Sequence, residues 1–325
     1  MSAVELRRPP FDPEIAAALV THRADVVTTL TPEGIGILRE LALDPALDTL
    51  TLGGRFALTT HTVPGEPDVE LLLLRPVAVA GPVGPVPLLF HLHGGGLVAG
   101  TMYDDVPAAA EVAESVGAAV ASIRYRLAPE HPYPAALDDS YAALVWLVQN
   151  AADLGIDPDR IVVAGVSAGA GLAAATTLLA RERGGPVIAG QMLVCPMLDD
   201  RNDSGSAQQM AGTGAWDRTA NATAWAAYLP GTAGGPGVPP TASPARADDL
   251  ADLPPTFVDV GSAETFRDEV VAYAHAIWRS GGRAELHVWP GGCHGFEFLA
   301  PHATLSRDAR ETRTRWLRRV LGSPL

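Results

Sequence analysis

The sequence predicts an α/β fold, with a mostly parallel central sheet and helices on both faces. Three observations carry that prediction. Strand-like and helix-like runs alternate from Pro87 to Leu321, the pattern of parallel strands joined by crossover helices. Central runs such as Arg160 to Val166 are continuously apolar, as strands buried on both faces are. The chain has 325 residues, 47% hydrophobic and 18% charged, which is ample for a full core.

The elements follow in order. Ile15, Leu19 and Val26 recur at near-helical spacing over Pro13 to Val26. Thr31-Pro32-Glu33 reads as an N-cap with proline at the first helical position, leading into Ile35, Leu38 and Leu41. Val69 to Leu74 is β-rich, and Pro87 to His93 is a strand that ends in glycines. Gly117 to Tyr125 reads as a strand. Ala135 to Asn150 reads as a helix in which Leu137, Tyr141, Leu144 and Leu147 recur. The strand Arg160 to Val166 leads into a small-residue helix, Ala168 to Arg183, and Val187 to Leu193 follows as a strand. The strand Thr256 to Gly261, helix Arg267 to Arg279, strand Ala284 to Trp289 and helix Leu305 to Leu321 complete the alternation. The stretch Asp199 to Asp252 breaks it. Polar and glycine-rich segments there surround one helical piece, Asp217 to Tyr228, so this stretch reads as an insertion over the sheet. There is no internal repeat.

Composition narrows the function. A net charge of −14 repels phosphate backbones, so no nucleic-acid partner is expected. The 2 cysteines have no metal-ligand spacing, and no metal is expected. The start of the chain lacks the apolar core of a signal peptide, and no run of about 18 apolar residues exists to span a membrane. A cytoplasmic protein without membrane partner is the expectation. The sequons at Asn202 and Asn221 mean little without a secretion signal.

Gly165-Val166-Ser167-Ala168-Gly169 matches G-x-S-x-G between a buried strand and a helix. That is the context in which a tight turn projects a nucleophilic serine. An ordinary glycine-rich turn is the bland alternative. Gly169-Ala170-Gly171-Leu172-Ala173-Ala174 also fits a dinucleotide fingerprint, but it lies inside the helix and lacks an acid about 20 residues on. No cofactor is expected. His93-Gly94-Gly95-Gly96 follows an earlier strand, where glycines let backbone N–H groups approach an oxyanion closely. Gly94, Gly95 and Ala168 are the expected donors.

A nucleophilic serine needs a base, and the base an orienting carboxylate, in the chain order serine, acid, histidine. His294 lies in a loop after the last strand. His275 falls in a helix, His287 in a strand and His302 near a helix start. Glu264 is first in the loop after Thr256 to Gly261. Asp268 and Asp259 remain alternatives, the former in a helical first turn, where acids serve the dipole, and the latter within the strand.

Together these blocks resemble the bacterial hormone-sensitive-lipase-like esterases of the α/β-hydrolase fold. They are His93-Gly94-Gly95-Gly96, Tyr125-Arg126-Leu127-Ala128-Pro129-Glu130, Gly165-Val166-Ser167-Ala168-Gly169 and Cys293-His294-Gly295-Phe296. Glu264-Thr265-Phe266-Arg267-Asp268-Glu269 occupies the place of the family's acid block. It departs from the family in using Glu rather than Asp, as do Val166 before the nucleophile and Cys293 before the histidine.

The resemblance implies a cofactor-free serine carboxylic ester hydrolase acting on short- to medium-chain acyl or aryl esters. It implies a cap made of residues 1–50 and 199–240 over a catalytic domain of 51–198 and 241–325. Leu97, Trp216 and Trp225 are candidate substrate-binding residues, though the aromatics also suit simple packing of the insertion. Homodimer formation through Ala284 to Leu321 is a further implication. Two rivals stay open: amide or lactone cleavage, and a non-catalytic small-molecule-binding homologue. The basic helix face of Arg313, Arg315, Arg318 and Arg319 reads as solvated.

Overall fold

The computed structural model describes residues 7–23, 26–40, 45–77 and 84–322. Its strands are β1 (Phe56–Val63), β2 (Val69–Pro76), β3 (Val86–Leu92), β4 (Ala119–Ile123), β5 (Ile156–Val166), β6 (Gly190–Val194), β7 (Thr256–Gly261) and β8 (Ala284–Trp289). They form one sheet in the order β1-β2-β4-β3-β5-β6-β7-β8. From β4 through β8 every neighbouring pair is parallel, while β1 and β2 are antiparallel additions at one edge.

The strand order reverses around β3, which pairs with β4 on one side and β5 on the other. Loops leaving the carboxyl ends of strands diverge at such a point and open a crevice between them. Leu92 sits opposite Gly165 in the register, so the loops after β3 and β5 emerge side by side.

β3, β4 and β7 are buried along their whole length, as expected of strands covered on both faces. The helix Ala168–Glu182 is buried continuously from Ala168 to Ala180. A helix that is apolar all round belongs inside a core, and its small residues let it lie close to its neighbours. Gly171 shows how close: a methyl there would sit 2.1 Å from the carbonyl oxygen of Met197.

Two of the longer elements went unread in the sequence. β1 is an edge strand with only its end residues, Phe56 and Val63, buried, so it carries no apolar run. The helix Val106–Glu114 carries Pro107 in its first turn, which reads as a break although proline is tolerated there. The first helix spans Pro13–Thr21, shorter than expected. Asp12 caps it by accepting the N–H groups of Glu14 (2.8 Å) and Ile15 (3.3 Å). The second spans Gly34–Glu40, and Thr31-Pro32-Glu33 forms the turn before it. Leu41 lies outside the described residues.

Residues 27–30 are stitched to the insertion. Val27 and Thr28 accept the amides of Trp216 (3.1 Å) and Asp217 (2.8 Å), and Thr29 donates to Asp217 (2.8 Å). Asn202 and Asn221 hydrogen-bond to one another (3.0 Å) inside the insertion. Among the described residues no helix is long and apolar enough to cross a membrane.

Arg313 corrects the reading of the last helix, Thr304–Leu321. It is buried, whereas Arg315 and Arg319 are exposed. Its guanidinium donates to Asp259 at 2.8 and 2.9 Å and to Glu297. This network fastens the last helix to β7 and to the segment that follows His294. Removing the cation would leave two carboxylates buried without a counterion. Arg313→Ala is expected to cost about 3–5 kcal/mol of stability in urea denaturation. A loss below about 1 kcal/mol, the range of surface ion pairs, would show that solvent screens the site.

Candidate active site

β5 ends in Gly165-Val166, and the chain turns sharply into the helix at Ser167. Ser167 takes a left-handed φ of 56° with ψ −120°. A non-glycine residue there stores strain of about 1–3 kcal/mol, held by surrounding bonds. Its N–H donates to Val194 (2.8 Å), and its carbonyl accepts the amides of Ala170 (3.1 Å) and Met197 (3.0 Å). Gly169 makes the tight turn feasible, since a methyl there would lie 2.1 Å from the Leu92 carbonyl oxygen.

His294 stands between Ser167 and Glu264. Its Nδ1 lies 2.7 Å from Glu264 Oε1 and its Nε2 lies 2.9 Å from Ser167 Oγ. An ionised carboxylate can only accept, so Nδ1 carries the proton and Nε2 offers its lone pair to the serine. The other oxygen of Glu264 accepts the N–H of Gly261 at 2.9 Å, and the side chain is fully buried. The amide of Ala263 donates to Gly292 (3.0 Å), which ties the acid loop to the histidine loop. Phe266 meets the imidazole edge-on with centroids 5.1 Å apart.

The alternative acids are committed elsewhere. Asp268 accepts the N–H of Ser206 (2.7 Å) and Nε of Arg267 (2.8 Å). Asp259 pairs with Arg313 and accepts Nε1 of Trp289 at 3.0 Å. Of the other downstream histidines, His275 and His302 are exposed and His287 pairs with Glu285.

Cys195 Sγ, Glu264 and His294 offer three possible metal-ligand atoms within 4.8 Å of one another. Two of the three are already bonded to each other. Burial, with Glu264 nearby, pushes the Cys195 thiol well up, which keeps it protonated. The arrangement suits a proton relay better than a metal.

The glycine loop is tied at nearly every carbonyl. Tyr125 donates its hydroxyl to the His93 carbonyl (2.8 Å) and stacks on the imidazole at 4.1 Å. His93 Nδ1 in turn donates to the Gly94 carbonyl at 2.8 Å. Burial holds His93 neutral, down at about 3, so it serves as a structural donor. The Gly95 carbonyl accepts the amides of Val98 (3.1 Å) and Ala99 (3.0 Å).

This geometry corrects one expected donor. The Gly94 N–H is not free: it donates to Asp105 Oδ2 at 3.1 Å. The amides of Gly95, Gly96 and Ala168 make no hydrogen bond among the described residues. Ala168 is the first residue of its helix, where the N–H has no intrahelical acceptor. The amides left free to meet an oxyanion are therefore those of Gly95, Gly96 and Ala168. Gly95 (φ 107°) and Gly96 (φ 65°) both take conformations that side chains disfavour.

Of the three expected substrate-binding residues, the structure brings Trp216 to the site. Its ring covers Gly96, where a methyl would lie 2.6 Å from Cη2, and its carbonyl accepts Thr265 Oγ1 (2.7 Å). It touches the oxyanion loop and the acid loop at once. Leu97 and Trp225 are buried in the same core cluster as Trp216, Leu97 directly after Gly96 and Trp225 against Tyr228. Sequence reasoning also missed Gly96 and Asp105. Asp105 carried a faint signal, an acid at a helix start with no capping partner in view.

The sequence signature of the α/β hydrolase fold matches residues 89–298. The chain is an α/β-hydrolase. It belongs to the hormone-sensitive-lipase-like esterases, and its relatives agree in kind. Carboxylesterase NlhH of Mycobacterium tuberculosis is 35% identical over 303 residues, covering 91% of this chain and 92% of the relative. Esterase LipI of the same species is 33% identical, covering 72% and 78%. Among solved structures, a bacterial heroin esterase superimposes with a TM-score of 0.85 at 36% identity, covering 96% and 98%. Esterase LipW from Mycobacterium marinum gives 0.81 at 34%, covering 98% and 99%. The hydrolase is thus a carboxylesterase-type enzyme, and the binding-module and amidase readings are not favoured.

Proposed function

We propose that this α/β-hydrolase cleaves short- to medium-chain acyl or aryl esters through an acyl-enzyme on Ser167. The observation that carries the reading is His294, bonded to Glu264 through one nitrogen and to Ser167 through the other. Ser167 Oγ attacks the ester carbonyl as His294 Nε2 takes its proton. Glu264 holds the imidazole in the required tautomer and stabilises the imidazolium. The oxyanion forms against the N–H groups of Gly95, Gly96 and Ala168, each worth about 10²–10³ in rate. His294 then protonates the leaving alcohol, and water repeats the sequence on the acyl-enzyme.

Residues 1–50 and 199–240 act as a cap in this reading, supported by the bonds joining residues 27–30 to the insertion. Trp216 sets the roof over the oxyanion loop and so limits the acyl or alcohol group. A cytoplasmic location belongs to the same reading, as does a homodimer through the free edge of β8, beside which Trp278 is exposed.

The test is a series of p-nitrophenyl esters from acetate to palmitate. The expected kcat/KM is highest from acetate to octanoate and falls steeply for palmitate. A maximum at palmitate would refute the chain-length reading. Faster turnover of a matched anilide than of the ester would refute ester specificity.

A further inference from the structure

Asp105 stands at the N-cap of the helix Val106–Glu114, yet its side chain caps no amide of that helix. Its backbone is left-handed, with φ 61°, a conformation that carries strain for a non-glycine residue. The carboxylate reaches back instead to the Gly94 N–H. A methyl on Gly94 would lie 3.5 Å from Asp105 Oδ2 and 3.6 Å from Ser167 Cβ, so the carboxylate and the nucleophile flank the same glycine.

Beside Asp105 lies a cavity of about 30 Å³, lined also by His91, Val166, Glu297 and Arg313. It has room for one water, and His91 Nε2 is buried without a hydrogen-bond partner. An open groove of about 500 Å³ shares Asp105, Glu297 and Arg310 with it, giving the carboxylate a path to solvent protons.

We propose that Asp105 is a positioning residue whose ionised carboxylate holds the oxyanion loop in its productive register. Hydrolysis then depends on a second ionisation besides that of the catalytic triad. The proposal rests on the assignment of Gly95, Gly96 and Ala168 as donors. With Gly94 anchored, the next two amides are presented to the substrate.

The surroundings support it. Burial pushes the Asp105 carboxyl up to about 7, against the Gly94 N–H; Asp104 and Glu297 raise it further, and His294 lowers it. The groups facing it are Asp104 on its own loop, His91 on β3 and Glu111 on the following helix. Glu297 and His302 approach from the segment after His294, Arg310 and Arg313 from the last helix. Tyr125 also feels its charge.

Two signs follow, and they oppose each other. A carboxyl raised in the folded state keeps a proton that the unfolded chain has already released. Stability is therefore lost as pH rises through about 7. Activity instead falls as pH drops through the same range, because the loop loses its charged anchor. A residue that only fills space would show neither.

The experiment measures kcat/KM for p-nitrophenyl butyrate and Tm, both from about pH 5 to 9, for wild type, Asp105→Asn and Asp105→Gly. Asparagine keeps an acceptor and tolerates φ 61°; glycine tolerates it and removes the acceptor. Wild type is expected to lose activity on acidification with a slope approaching two protons. Asp105→Asn, a neutral mimic of the protonated carboxyl, should show a slope of one, with kcat more than about tenfold below wild type, and a Tm advantage that grows up to about pH 7 and is level above it. Asp105→Gly should lose about 10²-fold in kcat with KM nearly unchanged, like the loss of an oxyanion donor. Profiles and Tm of Asp105→Asn that superimpose on wild type would overturn the proposal, as would Asp105→Gly within about twofold in kcat. A Ser167→Ala control that keeps its activity would sink the site assignment itself, independently of how the Asp105 variants behave.

Discussion

Ser167→Ala is expected to lower kcat by about 10⁶-fold while leaving the protein folded. The serine oxygen is the atom that forms the new bond, and nothing beside it can replace it. Cys195 is buried and held protonated, as is Cys293, whose thiol burial pushes up to about 12. The Gly95, Gly96 and Ala168 amides remain in the variant, so KM should change little. The clean readout is a fluorophosphonate, which labels wild type once and should not label Ser167→Ala at all. Stoichiometric labelling of the variant at a second serine would mean that the nucleophile lies elsewhere.

Glu264→Gln carries the next largest effect, a loss of about 10⁴ in kcat. The two oxygens of Glu264 do different work: Oε2 accepts the Gly261 N–H and Oε1 accepts His294 Nδ1–H. A glutamine has only one oxygen. If that oxygen serves Gly261, the amide nitrogen faces His294 and donates to Nδ1. The imidazole proton is then forced to Nε2, where it can no longer accept from Ser167. If the amide flips, its nitrogen opposes the Gly261 donor in a buried site and the variant loses stability instead. Asp268→Asn should cost less than about tenfold, because Asp268 anchors Ser206 and Arg267 rather than the imidazole. If the two variants lost activity equally, Glu264 would not be the orienting acid.

Much of the site was legible because its chemistry is local in sequence. Ser167 sits in a motif that needs a strand before it and a helix after it, and both neighbours advertise themselves by their apolar runs. Glu264 and His294 follow from chain order and from the loops after β7 and β8. Thr256–Gly261, Arg267–Arg279 and Ala284–Trp289 fall at the expected residues because each is long and periodic enough to be marked. β1 escaped for the opposite reason: an edge strand that buries little carries no pattern.

The oxyanion donors could not be read in the same way. Three adjacent glycines look alike in a sequence, and which amide is free depends on a carboxylate eleven residues on that folds back to Gly94. Arg313 looks like its neighbours Arg315 and Arg318, and only the packing of its helix over β7 brings it to Asp259 and Glu297. Trp216 and Trp225 share an insertion and a core cluster, and it is the fold that lays the Trp216 ring over Gly96 and Trp225 against Tyr228. By itself the sequence determined the fold class, the nucleophile and its base, and put Glu264 first among three candidate acids, because hydrophobic periodicity and chain order encode them. The tertiary structure decided which amides, cations and aromatics face the site. A hydrogen bond or a buried contact is allotted among residues distant in the chain, and only the folded arrangement makes that allotment.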